Sequence, residues 1–148
     1  MQTDSHLTAA INEAKKGLEE GGNPIGSVIV HKGKIIGAGH NKRIQQGSVV
    51  LHGEMDALEN AGRQPASVYQ NSVLYTTLSP CPMCTGAILL YGIPKVVIGE
   101  NQTFQGSEEL LRQNSVEVTV MNYSECIEMM QGFIKNNPAL WNEDIGEE

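Results

Sequence analysis

The sequence predicts an α/β fold, a three-layer α/β/α sandwich with a central mixed sheet of about five strands and helices on both faces. Two features carry that expectation. Stretches with apolar residues at helical spacing alternate with short runs rich in β-branched residues. An early pair of such runs flanks a tight turn, and the order from the N-terminus is helix, hairpin, helix, strand, helix, strand, helix, strand, helix.

Residues 5–20 read as a helix because Leu7, Ala10, Ile11, Ala14 and Leu18 recur at helical spacing, with Asp4 or Ser5 placed to cap the start. Gly21-Gly22-Asn23-Pro24 stops it. The runs 25–30 and 34–38 flank His31-Lys32-Gly33 and form a hairpin. On this reading His31 lies in the turn, in solvent. His40 is most simply a polar residue at a strand end, and Asn41, by position alone, a turn residue. Residues 42–50 are a polar loop. A second helix covers residues 51–61, with Gly62 just past its end where a left-handed cap belongs.

Ser72–Leu78 is a strand rich in Val, Leu, Tyr and Thr. A third helix begins within Pro80-Cys81-Pro82-Met83-Cys84 and runs to about Tyr91, its prolines at the tolerated early positions. Residues 95–99 and 116–121 are short strands, with a short helix around Glu108–Gln113 between them. Residues 123–135 form a helix whose apolar side carries Cys126, Ile127, Met130, Phe133 and Ile134; Cys126 and the methionines there are core packing. The tail from Asn137 onward holds the only tryptophan, Trp141, and should dock on something instead of lying in water.

Two stretches carry chemistry: Leu51-His52-Gly53-Glu54 and Ser79-Pro80-Cys81-Pro82-Met83-Cys84. His52, Cys81 and Cys84 are side chains that bind zinc. Zinc prefers tetrahedral N/S coordination, so three protein ligands leave the fourth position for water, the mark of a catalytic site. Glu54 is close enough to share the site without being a ligand, and it can accept and deliver a proton. Both sets fall at helix N-termini, where the dipole and free N–H groups stabilise thiolate. Cys81 and Cys84, at i and i+3, share one helix face. A C-x-x-C pair alone also serves redox and structural zinc sites. Joined to H-x-E about thirty residues upstream, it resembles the signature of zinc-dependent nucleobase deaminases.

Bulk properties narrow the partners. The 148 residues suit one domain with a real core, and 40% apolar with 18% charged residues is ordinary for a globular protein. No apolar run approaches a membrane span, and the polar N-terminus does not read as a signal peptide. Of three cysteines, two have a better use as metal thiolates than as a disulfide, which points to a reducing, cytoplasmic setting. The formal charge of −7 and a pI near 5.0 give no electrostatic footprint for nucleic acid. A small free base suits such a surface better.

The chain resembles the yeast-type cytosine deaminases of the cytidine and deoxycytidylate deaminase superfamily over nearly its whole length. The resemblance is carried first by Gly21-Gly22 with Pro24-Ile25-Gly26, Gly39-His40-Asn41, and Gly47-Ser48 with Leu51-His52-Gly53-Glu54. It continues through residues 74–84 into Thr85-Gly86-Ala87-Ile88, Tyr91-Gly92-Ile93-Pro94 and Gly99-Glu100-Asn101, and ends in Trp141 with Glu143-Asp144-Ile145-Gly146. The zinc motif alone reaches only the superfamily; Asn41 before it and the tail after it narrow the branch. The family's hairpin is usually longer than the tight turn here.

The resemblance implies that His52, Cys81 and Cys84 hold one Zn2+ per chain and that Glu54 shuttles the proton. It implies that Asn41 and the Gly53 N–H bond the O2/N1 edge of a pyrimidine, while the Ser79 carbonyl and the Asp144 carboxylate receive its exocyclic amine. Phe104, Trp141, Ile25 and the His52 ring would enclose the base. The implied activity is hydrolytic deamination of a free nucleobase, cytosine to uracil and ammonia, in pyrimidine salvage. The implied protein is a homodimer of single-domain chains (1–148), packed through helices, with residues 137–148 as a lid over the site. Competing readings are a deaminase of guanine, isocytosine or a cyclic amidine, a tRNA adenosine deaminase, and a non-catalytic zinc-stabilised binding module. The acidic surface and the tail oppose the tRNA reading. Glu54 opposes the binding module, because a structural zinc site has no use for an unligated carboxylate.

Overall fold

The computed structural model describes residues 4–147. In chain order the elements are α1 (Ser5–Glu19), β1 (Gly26–His31), β2 (Lys34–His40), α2 (Arg43–Gln46), α3 (Gly53–Ala61), α4 (Ala66–Tyr69) and β3 (Ser72–Leu78). There follow α5 (Pro82–Tyr91), β4 (Lys95–Glu100), α6 (Glu108–Gln113), β5 (Glu117–Val120), α7 (Ser124–Asn136) and α8 (Pro138–Asp144). The strands make one five-stranded sheet in the order β2-β1-β3-β4-β5. β1 pairs antiparallel with β2 and β3, whereas β3, β4 and β5 run parallel. The sheet is therefore mixed, as the sequence predicts.

Period-2 alternation along the central strands builds the layers. Ile29, Leu74, Val96 and Ile98 point to one face, where they meet Ala57 and Ala61 of α3, Ile88 of α5 and Leu111 of α6. Val28, Val30, Tyr75 and Val97 point to the other, against Leu7, Ala10 and Ile11 of α1 and Cys126 of α7. A third cluster of Ile25, Leu78, Met130, Phe133 and Trp141 forms where strand ends meet α7 and α8. Trp141 is docked, as expected of a lone tryptophan, and it brings α8 to the end of the sheet where β2, β3 and β4 finish.

Several local details differ from the sequence reading. The hairpin turn is the pair Lys32 (φ 51) and Gly33 (φ 78), both left-handed, the backbone of a two-residue turn that matches strand twist. His31 is consequently the last residue of β1, paired with Lys34 and half-buried, and not a solvated turn residue. Leu18 is 43% exposed, and Gly17 takes its place on the buried face of α1. A methyl group on Gly17 would come within 3.2 Å of the His40 ring, so the glycine admits that ring. The polar loop contains α2, residues 66–69 form α4, and the tail is helical through α8.

His40 ends β2 but is buried there. Its Nδ1 lies 2.9 Å from Glu13 Oε1 and its Nε2 lies 2.8 Å from Glu20 Oε1. Burial pushes the Glu13 carboxyl up, but hydrogen bonds with His40 and Lys16 outweigh it and hold the group below its ordinary 4.5. This clamp fixes α1 against the end of β2, one residue before Asn41.

Candidate active site

The site forms where two helices begin. His52 is the N-cap of α3 and Cys81 the N-cap of α5, both with extended backbone; Glu54 and Cys84 follow in the first turns. Pro82 sits at the start of α5, where its missing N–H costs nothing. β3 ends at Leu78 and delivers Ser79 and Cys81, so the site lies beyond the carboxyl ends of β3 and β4.

One ligand atom from each of His52, Cys81 and Cys84 lies within 4.8 Å of the others. His52 Nδ1 faces Cys81 Sγ at 3.4 Å, and its Nε2 faces Asp144 Oδ1 at 3.1 Å. The carboxylate thus fixes the ring from behind while Nδ1 points at the sulfurs, the usual outer support of a ligating histidine. A hydrogen bond from the Cys84 thiol, helped by His52 and opposed by burial, brings Cys81 down to about 4. The Cys84 thiol is pushed up by that same bond and by burial. Burial works against charge on His52, but the Asp144 carboxylate beside Nε2 and the Cys81 sulfur beside Nδ1 raise it to about 10. One imidazole and two thiol sulfurs are a soft N/S set that fits zinc.

Glu54 is 4% exposed and its Oε1 lies 3.5 Å from Ser27 Oγ. Burial, with the Cys81 charge adding and His52 opposing, pushes its carboxyl up to about 7. A general acid–base group works best with a pKa near the working pH.

A small, narrow cleft opens over these groups. Ile25, Phe104, Trp141 and Ile145 give it apolar walls, while His52, Glu54, Ser79 and Asp144 supply polar ones. Phe104 meets Trp141 edge to face, with ring centres 5.8 Å apart and planes at 85°. Asn41 is fully buried: its Oδ1 accepts from Arg43 N at 2.9 Å, and its Nδ2 donates to Asp144 Oδ2 at 2.9 Å. It shapes the turn and grips Asp144, but neither it nor Gly53 is among the residues that line the cleft. Gly53, buried at the start of α3, lets that helix approach the Ile25 carbonyl.

Two residues that the sequence reading passes over hold α8 in place. Asn23 Nδ2 donates to Asp144 Oδ2 at 2.7 Å, and Arg43 Nε donates to Glu143 Oε1 at 3.0 Å. Burial pushes Asp144 up, yet its contacts with His52, Asn23 and Arg43 hold it below its ordinary range. Asn23 lies inside a Gly-Gly-Asn-Pro stop and Arg43 inside a polar loop, where turn chemistry accounts for both and nothing local signals a second role.

Comparison with known proteins agrees with this geometry. Residues 1–100 match the family described as the cytidine and deoxycytidylate deaminase zinc-binding region. A cytosine deaminase of Candida albicans is 58% identical over 142 residues, covering 95% of each chain. A tRNA-specific adenosine deaminase of Streptococcus pyogenes is 36% identical over 139 residues, 87% of each. A solved structure of a tRNA:A34 deaminase superposes with a TM-score of 0.72 at 26% identity, covering 84% of this chain and 98% of that one.

Proposed function

From the premise that this chain belongs to the cytidine and deoxycytidylate deaminase family, we propose that it hydrolyses free cytosine to uracil and ammonia. The observation that carries the reading is Glu54, buried beside the His52, Cys81 and Cys84 donor set without joining it. Zinc held by those three residues supplies Lewis acidity and a water acidified enough to attack at neutral pH. Glu54 takes the proton that the attacking water gives up and delivers it to N3 of the base. As the bond from C4 to oxygen forms, the ring loses its conjugation. Glu54 then takes the proton of the new C4 hydroxyl and passes it to the amino group, the C4–N bond breaks as the C4 carbonyl of uracil forms, and ammonia leaves. Asn41 and the Gly53 N–H hold the O2/N1 edge, while the Ser79 carbonyl and Asp144 receive the amine. Ile25, Phe104, Trp141 and the His52 ring sandwich the base, which keeps bulk water from its faces. Asp144 has a second task, because it also holds His52 Nε2.

What favours a free base over a tRNA loop is the segment over the cleft together with the charge. Residues 137–148 act as a lid, a reading supported by Trp141 and Asp144 of α8, which line the cleft together with His52 and Cys81; Glu148 lies outside the described residues. A formal charge of −7 repels phosphates. The higher identity to the cytosine deaminase points the same way. With that lid closed, no room remains for a ribose on N1. Cytosine should be deaminated and cytidine ignored in an ammonia-release assay, and comparable rates on the two would remove the lid from the account.

The working unit is a homodimer. Leu90 is 75% exposed and Tyr91 45% exposed at the end of α5, beside a groove that Met55 and Leu58 of α3 also line. Val49 and Val50, 67% and 49% exposed, add further bare apolar surface. Such surface marks a contact between proteins. Sedimentation equilibrium should give twice the chain mass, and a monomer at micromolar concentration would count against it. The setting is the cytoplasm, where Cys81 and Cys84 stay reduced for metal, and the role is pyrimidine salvage. Among the described residues no helix is long and apolar enough to cross a membrane.

A further inference from the structure

Glu108 is 1% exposed at the first position of α6, and the reaction outlined above makes no use of it. A carboxyl group with so little water needs an occupation, because burying one costs free energy unless its oxygens are satisfied. Its Oε2 accepts a 2.6 Å hydrogen bond from the Ser79 hydroxyl, and its Oε1 accepts one from Asn101 Nδ2 at 3.2 Å. The same Ser79 hydroxyl accepts from Gly106 N at 2.9 Å. The hydroxyl is thus committed as both donor and acceptor within the protein, which leaves the Ser79 main-chain carbonyl as the part for substrate.

The surrounding contacts make this a deliberate joint. Ser107 N donates to the Pro80 carbonyl at 3.1 Å, and Ser79 N donates to the Glu100 carbonyl at 3.1 Å. A side chain at Gly106 would collide with the Pro80 carbonyl oxygen, so the loop after β4 lies directly on the segment that ends in Cys81. That loop carries Phe104, one wall of the cleft. Its first half is held by the fully buried Glu100, which accepts from Gln102 N at 2.8 Å and Thr103 N at 3.0 Å. Its second half depends on Glu108.

We infer that Glu108 is a positioning residue for deamination: by gripping the Ser79 hydroxyl it fixes the Ser79 carbonyl that accepts the departing amine. The inference rests on the cytosine reading above. It predicts a defect specific to the amine, because the joint lies at the C4 side of the base and not at the metal or the O2/N1 edge. A ligand without an amine on C4, such as pyrimidin-2-one, should not depend on it.

The test measures kcat/KM on cytosine, the inhibition constant of pyrimidin-2-one and zinc content for Ser79→Ala, Glu108→Ala and Glu108→Gln. Ser79→Ala deletes only the hydroxyl and keeps the carbonyl, so it serves even if Glu108→Ala does not fold. Ser79→Ala and Glu108→Ala should each lower kcat/KM by about tenfold, the upper range for one hydrogen bond. Inhibition by pyrimidin-2-one should stay within about twofold, since the contacts of that ligand are retained. The double variant should be no worse than either single one, the sign of two residues acting through one contact. Glu108→Gln keeps an oxygen that can accept from the hydroxyl and should recover most of the activity. If Ser79→Ala matched the parent, or lost inhibitor affinity in step with kcat/KM, the positioning role would be wrong. A parent that released no ammonia from cytosine would overturn the functional reading itself, and this inference with it.

Discussion

Replacing Glu54 by alanine is expected to leave zinc bound and to slow turnover by at least ~10²-fold, the low end for a positioned acid–base group. The two halves of that expectation have separate grounds. Zinc stays because the donor atoms belong to His52, Cys81 and Cys84, and Glu54 is not among them. Turnover falls because, among the described residues that line the cleft, none can take Glu54's place. His52 and the two cysteines are the proposed zinc ligands, and Asp144 is held below its ordinary range by its partners, which makes it a poor proton carrier near neutrality. Glu54 alone is poised there, pushed up to about 7 by burial. Metal analysis beside steady-state kinetics checks both halves. Retained zinc with only a severalfold loss of rate would reduce Glu54 to a packing residue.

Cys84→Ser should abolish zinc binding and activity together. Cys84 is fully buried in the first turn of α5, so no water or neighbouring side chain can replace its sulfur without rearranging the helix start. A serine hydroxyl is a hard, reluctantly ionised group and a poor zinc ligand beside a thiolate. The loss should also be visible without any assay of turnover. His52 and Cys81 cap two different helices, so a metal between them ties α3 to α5, and a ligand bound only by the folded state raises its stability. The parent should therefore melt at a lower temperature after chelation, whereas the variant should melt at the same temperature with or without chelator. A variant that kept stoichiometric zinc and its activity would show that Cys84 is not a ligand.

The parts of this site that could be read from the sequence are those fixed by local spacing. His52 with Glu54, and Cys81 with Cys84, each lie within one helical turn, so the first-turn geometry that brings them together is written in a few consecutive residues. The sheet is legible for a similar reason: Ile29, Leu74 and Val96 alternate with Val28, Tyr75 and Val97 over runs long enough to show a period of two. The helices α2 and α4 are only four residues long, about one turn, and give no periodicity to detect.

Long-range roles are a different case. Asp144 meets Asn41 across 103 positions and Asn23 across 121, and no local pattern links such partners. Resemblance to a family supplied Asp144, Trp141 and Phe104; it did not supply Asn23, Arg43 or Glu108, whose occupation is visible only once the chain is folded. The Gly17 for Leu18 exchange on α1 has the same origin. The buried face was set by the His40 ring arriving from β2, a tertiary fact that outweighs the apolar stripe.

The central claim is that a zinc site with Glu54 beside it acts on a free cytosine ring under a closed lid. The most direct measurement is ammonia release by the zinc-loaded protein from cytosine, isocytosine, guanine and a tRNA anticodon stem-loop, each offered separately. Cytosine should yield one equivalent of ammonia and one of uracil, with the tRNA untouched. Inosine formed in the anticodon loop, with cytosine left intact, would contradict it.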